Sequence, residues 1–423
     1  MNRREVLAGA AAVCVGAKAG WASGRAPSNT IVVAVMGTNG RGCDLARGFA
    51  RQQGSQVAAI CDVDQRAVAK GIKAAVEGGP KTPRGESDIR RVLDDKSIDV
   101  LAIAAPDHWH APAAILACAA GKHVYVEKPC SHNAREGEQL VEAARKHKRV
   151  VQMGNQRRSW TGMIEAIQKL KDGAIGRVTF SRGWYTNLRG PIGKGKTGEP
   201  PAWLDYELWQ GPAPRRPYRD NIIHYNWHWF WHWGTGEIGN NGVHGIDVCR
   251  WGLGVDYPLR VSSGGGRYVY DDDQETPDSH VVTFEFEGRR MLTWEGFSCN
   301  KRGIEGSQFG MSYFGEKGSL VLTDSGYEIF DAGNKSVEKH AAAREDIDAR
   351  HFENFLSAIR GEAKPNSEIG EGHKSTLLCH LGNIAHRTGR TLRCDPATGR
   401  ILGDDEAMKL WGRDYEPGWA PAP

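Results

Sequence analysis

The 423-residue sequence has no Cys-x-x-Cys pair, no internal repeat, no low-complexity segment and almost no net charge. Its nine cysteines (Cys14, Cys43, Cys61, Cys118, Cys130, Cys249, Cys299, Cys379 and Cys394) are scattered singly, so neither a zinc ribbon nor a CxxC redox pair is indicated. Lys and Arg number 55 against 51 Asp and Glu. Three of the four excess positive charges lie in residues 1–25, where Arg3, Arg4, Lys18 and Arg25 face Glu5 alone. The remainder is too nearly neutral to mark a nucleic-acid partner. Hydrophobic residues at 40% and charged residues at 25% exclude a disordered, fibrous or multi-span membrane chain and suit two or three globular domains. Glycine at 53 and tryptophan at 14 are plentiful, and point to many tight turns and an aromatic binding surface.

The start of the chain reads as a leader. Arg3 and Arg4 precede an apolar, small-residue stretch from Val6 to Ala17, followed by Ala19, Ala22, Ser23 and Gly24. A charged start, a short apolar middle and a small-residue exit are the parts of a secretory signal. The paired arginines point to the twin-arginine route. The apolar run is too short to span a bilayer. Residues 1–28 are therefore expected to direct a folded passenger, with any cofactor aboard, through the twin-arginine export machinery to the periplasm or outside. A retained N-terminal helix or an uncleaved anchor are the alternatives.

The next third predicts a dinucleotide fold. Ile31–Met36 is a near-continuous apolar run, as in a strand buried on both faces. Gly37-Thr38-Asn39-Gly40-Arg41-Gly42 follows, then a helical stretch, then a second strand ending at Asp62. The glycines let a pyrophosphate approach the backbone, and the helix N-terminus offers free N–H groups. Asp62, twenty residues after Gly42, is placed to accept from both ribose hydroxyls and to repel a 2′-phosphate, which favours NAD over NADP. The turn departs from G-x-G-x-x-G, with Asn39 in the middle position and an added Gly40. A third strand ends at Pro106-Asp107-His108-Trp109-His110, and a fourth, from His123 to Val126, is closed by Glu127-Lys128-Pro129. Ligands sit beyond the carboxyl ends of such strands, so Pro106, His108, His110 and Lys128 are expected at the cofactor cleft. The domain is read over 29–155.

These residues, with Ala120-Gly121-Lys122-His123-Val124-Tyr125-Val126-Glu127-Lys128-Pro129, Gly154-Asn155-Gln156 and Gly239-Asn240-Asn241-Gly242-Val243-His244-Gly245-Ile246-Asp247, resemble the glucose–fructose oxidoreductase/inositol dehydrogenase (Gfo/Idh/MocA) family. The resemblance covers nearly everything after the leader. It implies an α/β chain: an N-terminal Rossmann domain plus a C-terminal α/β domain with a large open antiparallel sheet. It also implies NAD(P)-dependent chemistry on sugars or cyclitols, and dimers or tetramers built on that sheet. By the resemblance Lys128 is the catalytic lysine and His244 the catalytic histidine, Glu127, Asn155 and Gln156 belong to the cofactor side, and Asn240 and Asp247 to the substrate side. Many members carry Asp where Asn240 stands. Asn can hold a substrate hydroxyl but cannot take its proton, so proton transfer falls to His244 or Lys128. The residue types agree, since oxidising an alcohol needs a hydride acceptor and a base at one carbon, and a neutral histidine can accept the proton. Lys128 paired to a strand-end carboxylate, or His244 as an interior histidine, are the bland readings.

Six tryptophans, Trp203, Trp209, Trp227, Trp229, Trp231 and Trp233, fall between 203 and 233, around His224-Tyr225-Asn226-Trp227-His228. Flat rings beside polar donors suit pyranose faces, and about half are expected to be core instead. Tyr225 and His228 are expected as substrate-side polar groups with a catalytic part, and Trp227 with them. His224, His228 and His232 have helical spacing, but no spaced acid or cysteine completes a metal site, and none is assigned. Arg157 and Trp160 are expected at the mouth of the cleft. From Val178 to Phe330, β-type runs recur with turns between them, and helices are predicted over Asp346–Arg360 and Ser375–Arg387. The second domain is read over 156–394, with a tail, 395–423, that wraps the domain or a partner.

The leading reading is an exported oxidoreductase with tightly held NAD that acts on a secondary hydroxyl of a sugar or glycoside. A second is a redox-cycle glycosidase: oxidation at C3, elimination, hydration and reduction. A third is a non-catalytic dinucleotide-binding protein.

Overall fold

The computed structural model describes residues 30–423, so the leader reading lies outside the described residues. The first half is a doubly wound sheet. Strands β1 (Ile31–Met36), β2 (Ser55–Cys61), β3 (Arg84–Glu86), β4 (Val100–Ile103), β5 (His123–Val126) and β6 (Val151–Met153) alternate with helices α1 (Arg41–Arg51), α2 (Gln65–Gly78), α3 (Ile89–Asp94), α4 (Asp107–Ala119) and α5 (Ala134–Lys146). All pairs are parallel, in the order β3-β2-β1-β4-β5-β6. The order reverses between β1 and β4, which opens a crevice at their carboxyl ends. β1 and β4 read as apolar runs because helices cover both faces.

The second half holds α6 (Thr161–Lys171), β7 (Val178–Leu188), α7 (Tyr206–Gln210) and α8 (Val243–Leu253). There follow β8 (Arg260–Gly266), β9 (Ser279–Phe286), β10 (Arg290–Phe297), β11 (Cys299–Asn300), β12 (Phe309–Gly315), β13 (Gly318–Thr323), β14 (Gly326–Asp331) and β15 (Ser336–Ala341). α9 (Ile347–Arg360), α10 (Ile369–Thr388), β16 (Leu392–Arg393) and α11 (Asp405–Met408) complete the chain. The sheet runs β15-β14-β13-β12-β7-β10-β9-β8-β16, with β11 against β7. It is the large, mostly antiparallel sheet expected, and is mixed because β10 runs parallel to β7. A parallel pair needs a crossover, and α8 supplies it, lying across the sheet above Trp294 and Tyr313.

The two halves interlock. α9 sends Phe352 and Phe355 against the first sheet, where they pack with Phe49 and Tyr125; the Phe49 and Phe352 ring centres are 4.6 Å apart. Burying each such ring stabilises the contact by roughly 1.5–3 kcal/mol. The tail also returns to the first half. The Tyr415 hydroxyl donates to Glu136 at 2.9 Å, and Trp419 sets its ring edge-on to Trp109.

Candidate active site

A cavity of about 330 Å³ opens at the crevice of the first sheet, and elements of both halves line it. One end is built by the turn after β1. Gly37 has φ +84°, and a Cβ there would lie 2.5 Å from the Ala105 nitrogen. A Cβ on Gly42 would stand 1.8 Å from the Gly37 oxygen, so α1 can approach the turn only without a side chain there. Gly40, the N-cap of α1, makes no side-chain cap, and a Cβ there would meet nothing within 4 Å. The Cys43 N–H turns to the Gly40 carbonyl at 2.8 Å, and the Arg41 and Gly42 N–H groups at the helix start are those an anionic pyrophosphate would meet.

Asp62 closes that end. It accepts from the Thr38 N–H at 2.6 Å and the Asp64 N–H at 3.0 Å. Burial pushes its carboxyl above the usual range, and the two N–H groups work the other way. Asn39 accepts from Lys70 at 2.8 Å. Arg41 lines the cavity but is fastened elsewhere: Nε donates to Glu127 at 2.8 Å, and the two terminal nitrogens donate to Asp348 of α9 at 2.6 and 2.7 Å. It clamps α9 to the end of β5 and leaves phosphate contact to its backbone.

The other end carries the reactive side chains. Lys128 Nζ donates to Asn240 Oδ1 at 3.2 Å. Asn240 sits in a π-turn, Ile238–Gly242, that leads into α8. Such wide turns redirect side chains and cluster at functional sites. Asn240 is steadied by Glu237, a buried carboxylate that also accepts from Arg189 Nε at 2.6 Å and Ser298 Oγ at 3.1 Å. His244 lies one turn beyond Asn240. Its Nδ1 is shielded from solvent and has no partner, and burial together with the charges of Lys128, Arg157 and Arg41 holds the ring well below the ordinary histidine pKa. It is therefore a neutral acceptor near the ammonium. Opposite, Tyr225, Trp227 and His228 line the wall. His228 stacks on Trp227 at 3.6 Å and uses Nδ1 on the Tyr225 carbonyl, and burial holds it at about 3. The Tyr225 hydroxyl accepts from Arg189 at 2.9 Å.

Pro106 and His110 also line the cavity. Both ring nitrogens of His110 are spent on backbone, at 2.6 Å from the Pro129 oxygen and 2.7 Å from the Ala105 oxygen, so it ties the two strand-end loops together. Gln156 donates to Glu127 at 3.3 Å from behind the wall. Both amide atoms of buried Asn155 lack partners. Asn155, Gln156 and His244 are not among the lining residues of the cavity; the uncapped N-terminus of α1 and Asp62, which are, fit a bound dinucleotide.

Several expectations need correction. His108 does not reach the cavity; it is fully buried, with Nε2 on the Trp209 carbonyl at 2.9 Å, because Trp209 and Trp233 enclose it. Asp247 is not a substrate ligand: it pairs with buried Arg158 at 2.8 and 2.9 Å and accepts from Ser375, since a buried guanidinium must have a counter-ion. Trp160 precedes α6 and packs in the core, where its large apolar area is best spent. Arg157 turns away, to Asp324 at 2.6 Å and over the ring of Phe309. His224, His228 and His232 do not share a helix face. Their segment is a chain of turns, and each has its own partner, Asp64, the Tyr225 carbonyl and the Pro214 carbonyl.

Glu237, Arg189 and Asp348 were not anticipated. Glu237 had a faint signal, three and four residues before Asn240 and Asn241. The other two had none in sequence.

Residues 31–155 match the Gfo/Idh/MocA family model described as "Oxidoreductase family, NAD-binding Rossmann fold", and residues 183–420 match "Oxidoreductase family, C-terminal alpha/beta domain". Over 161 residues the chain is 32% identical to a glycosyl hydrolase family 109 protein of Saccharopolyspora erythraea, covering 37% of this chain and 35% of that protein. Over 160 residues it is 30% identical to the inositol 2-dehydrogenase of Salmonella typhimurium, covering 37% and 46%. The matched stretch thus spans less than half the length of these curated relatives. The fold resembles that of the WlbA dehydrogenase from Bordetella pertussis, solved with NADH and UDP-GlcNAcA, at a TM-score of 0.66 and 18% identity, covering 86% of this chain and 99% of that one. With both of its sheets accounted for in this way, the chain belongs to the Gfo/Idh/MocA family of oxidoreductases, and residues 31–155 form its NAD-binding Rossmann fold.

Proposed function

We propose that the protein is an NAD-dependent oxidoreductase acting on a secondary hydroxyl of a sugar or glycoside. The observation that carries the reading is a single cavity with the Gly37–Arg41 turn and Asp62 at one end and Lys128, Asn240 and His228 at the other. Bound NAD supplies the hydride acceptor. Asp62 and the α1 N-terminus hold its ribose and pyrophosphate. Lys128 and Asn240 orient the substrate hydroxyl. The proton passes to neutral His244 or to Lys128. The aromatic wall of Trp227 and Tyr225 excludes water and stacks on the sugar ring.

On this reading the leader directs the folded chain out of the cytoplasm by the twin-arginine route. Free NAD is scarce there, so the cofactor stays bound and is recycled in place. The open face of the mixed sheet exposes Val281, Met291 and Phe314, and this supports a homo-oligomer built on that face.

A second reading is favoured by the relative named as a family 109 glycosyl hydrolase and by Tyr225 and His228 facing Lys128 across the cavity. Transient oxidation at C3 makes the C2 proton acidic; a base removes it, the aglycone leaves C1, water adds, and the carbonyl is reduced again. A chromogenic glycoside separates the two. Chromophore release without net NADH supports the hydrolytic cycle, a keto-sugar product supports the dehydrogenase, and neither outcome from a broad panel overturns both.

A further inference from the structure

A second cavity, of about 420 Å³, lies on the far side of the segment that walls the first one. It shares no lining residue with the cofactor cavity. Trp227 and His228 face the first; Trp231, His232, Gly234 and Thr235 face the second. Its other walls are the start of α5, the last turns of α10, the loop at Pro214–Arg216 and the tail at Leu410–Asp414.

The charge in it is one-sided. Arg215, Arg216, Arg387 and Arg413 line it, and Asp414 is the one acid among the described lining residues. Arg215 is paired with Glu207. Arg216, Arg387 and Arg413 make no ion pair among the described residues. Arg387 lies over the ring of Trp231, and Arg413 donates to the Asp414 carbonyl and contacts His132 Nδ1. Glu275 and Glu136 stand near Arg387 and Arg413, but they are engaged with the Trp231 N–H at 2.7 Å and with the Tyr415 hydroxyl and His132 N–H. Burial keeps His132, His232 and His380 neutral, so among the described lining residues the sign is set by four guanidinium groups against Asp414.

Two buried polar atoms of lining residues have no partner. Asn133 uses Oδ1 on the Glu136 N–H and leaves Nδ2 without a hydrogen-bond partner, near the Glu136 carboxylate and the Tyr415 hydroxyl; Asn383 donates Nδ2 to the Thr235 carbonyl at 2.8 Å and leaves Oδ1 free. An unmet buried donor or acceptor costs about 1–3 kcal/mol, so each such atom asks for a ligand. One is a donor and the other an acceptor, which a molecule with hydroxyl groups can satisfy together. Guanidinium groups recognise phosphate and carboxylate by paired, charge-assisted hydrogen bonds. The volume is that of a small-molecule site.

We infer that this cavity binds a small hydroxylated anion, a sugar bearing a phosphate or a carboxylate, at a site separate from the cofactor cavity. Arg216 and Arg387 at the rim and Arg413 inside take the charged group, and Asn133 and Asn383 take hydroxyls. The inference stands apart from the oxidoreductase reading.

Calorimetric titration of the full chain with glucose 6-phosphate, glucuronate, inorganic phosphate and glucose tests it. At least one anionic sugar should bind, glucose should not compete with it, and the better of glucose 6-phosphate and glucuronate identifies the charged group. The rim double variant Arg216→Gln/Arg387→Gln should weaken that binding about tenfold or more, with NAD affinity unchanged. Arg413→Gln should do the same, and the rim variant keeps the test valid if Arg413→Gln fails to fold. Failure of both anionic sugars to bind, equal binding of glucose, or undiminished binding in the rim variant overturns the inference. So does a rim variant that changes only the oligomeric mass, which would make the cavity a contact between copies.

Discussion

Lys128 Nζ and Asn240 Oδ1 lie 3.2 Å apart, and they come from the end of β5 and from the π-turn before α8. One hydrogen bond thus joins the cofactor half to the substrate half at the cavity. Lys128→Met should lower turnover by about 10²–10⁴-fold while leaving NAD affinity within a few-fold, because the loss falls on the reacting centre. Asn240→Asp should keep Lys128 in place and retain activity, whereas Asn240→Leu should lose about tenfold or more in kcat/KM. Equal activity in Asn240→Leu and the parent would remove the amide from the mechanism.

Asp62 accepts from the Thr38 and Asp64 N–H groups and faces the cavity. Asp62→Ala should weaken NAD about tenfold or more by calorimetry and narrow the preference over NADP. A variant that binds NAD as the parent does would show that the ribose lies elsewhere.

Much of this was legible in the sequence. β1, the glycine turn, β2 and Asp62 could be read because strands buried on both faces must be apolar and the turn glycines mark close approach. Lys128 could be placed because strand ends of such sheets face the ligand. β3 was not legible: Arg84-Gly85-Glu86 is a polar, largely exposed edge with no apolar run. The Arg41–Asp348 clamp spans 307 residues and leaves no local trace. The roles of Asp247 and Trp160 are set by tertiary partners, a buried guanidinium and a helix core, that a motif cannot show. The division of the tryptophans into core (Trp233) and cavity (Trp209, Trp227) follows from packing on His108 and His228.

Glu237 is buried and accepts from Arg189. Glu237→Leu would leave that guanidinium without its carboxylate, at a cost of about 3–5 kcal/mol in urea unfolding. Glu237→Gln should cost less and still blunt turnover by loosening Asn240. A loss below 1 kcal/mol in the leucine variant would contradict the buried-pair account.

Acid should destabilise the fold in a defined window. Burial holds His108 and His380 at about 3 and His351 at about 4, against an ordinary 6.5. The unfolded chain therefore takes protons that the native chain refuses as pH falls below 6.5, and stability drops toward 3–4. Asp64, held at about 2 against burial by Arg66 and His224, adds a further loss from 3.8 downward. Melting temperature should be flat above about pH 7 and fall continuously from there to about pH 4. A flat profile down to about pH 4 would contradict these burials.

The central claim is that one cavity holds NAD at Asp62 and presents its reactive end to Lys128 and Asn240, with His244 one turn behind them. It is tested most directly by adding a panel of sugars and glycosides to the NAD-loaded protein and watching the reduced-nicotinamide absorbance band. The account predicts that the band rises with at least one sugar in the parent and stays absent in Lys128→Met, which still holds NAD. A parent that binds no NAD, or a Lys128→Met variant that reduces it as the parent does, would contradict the account.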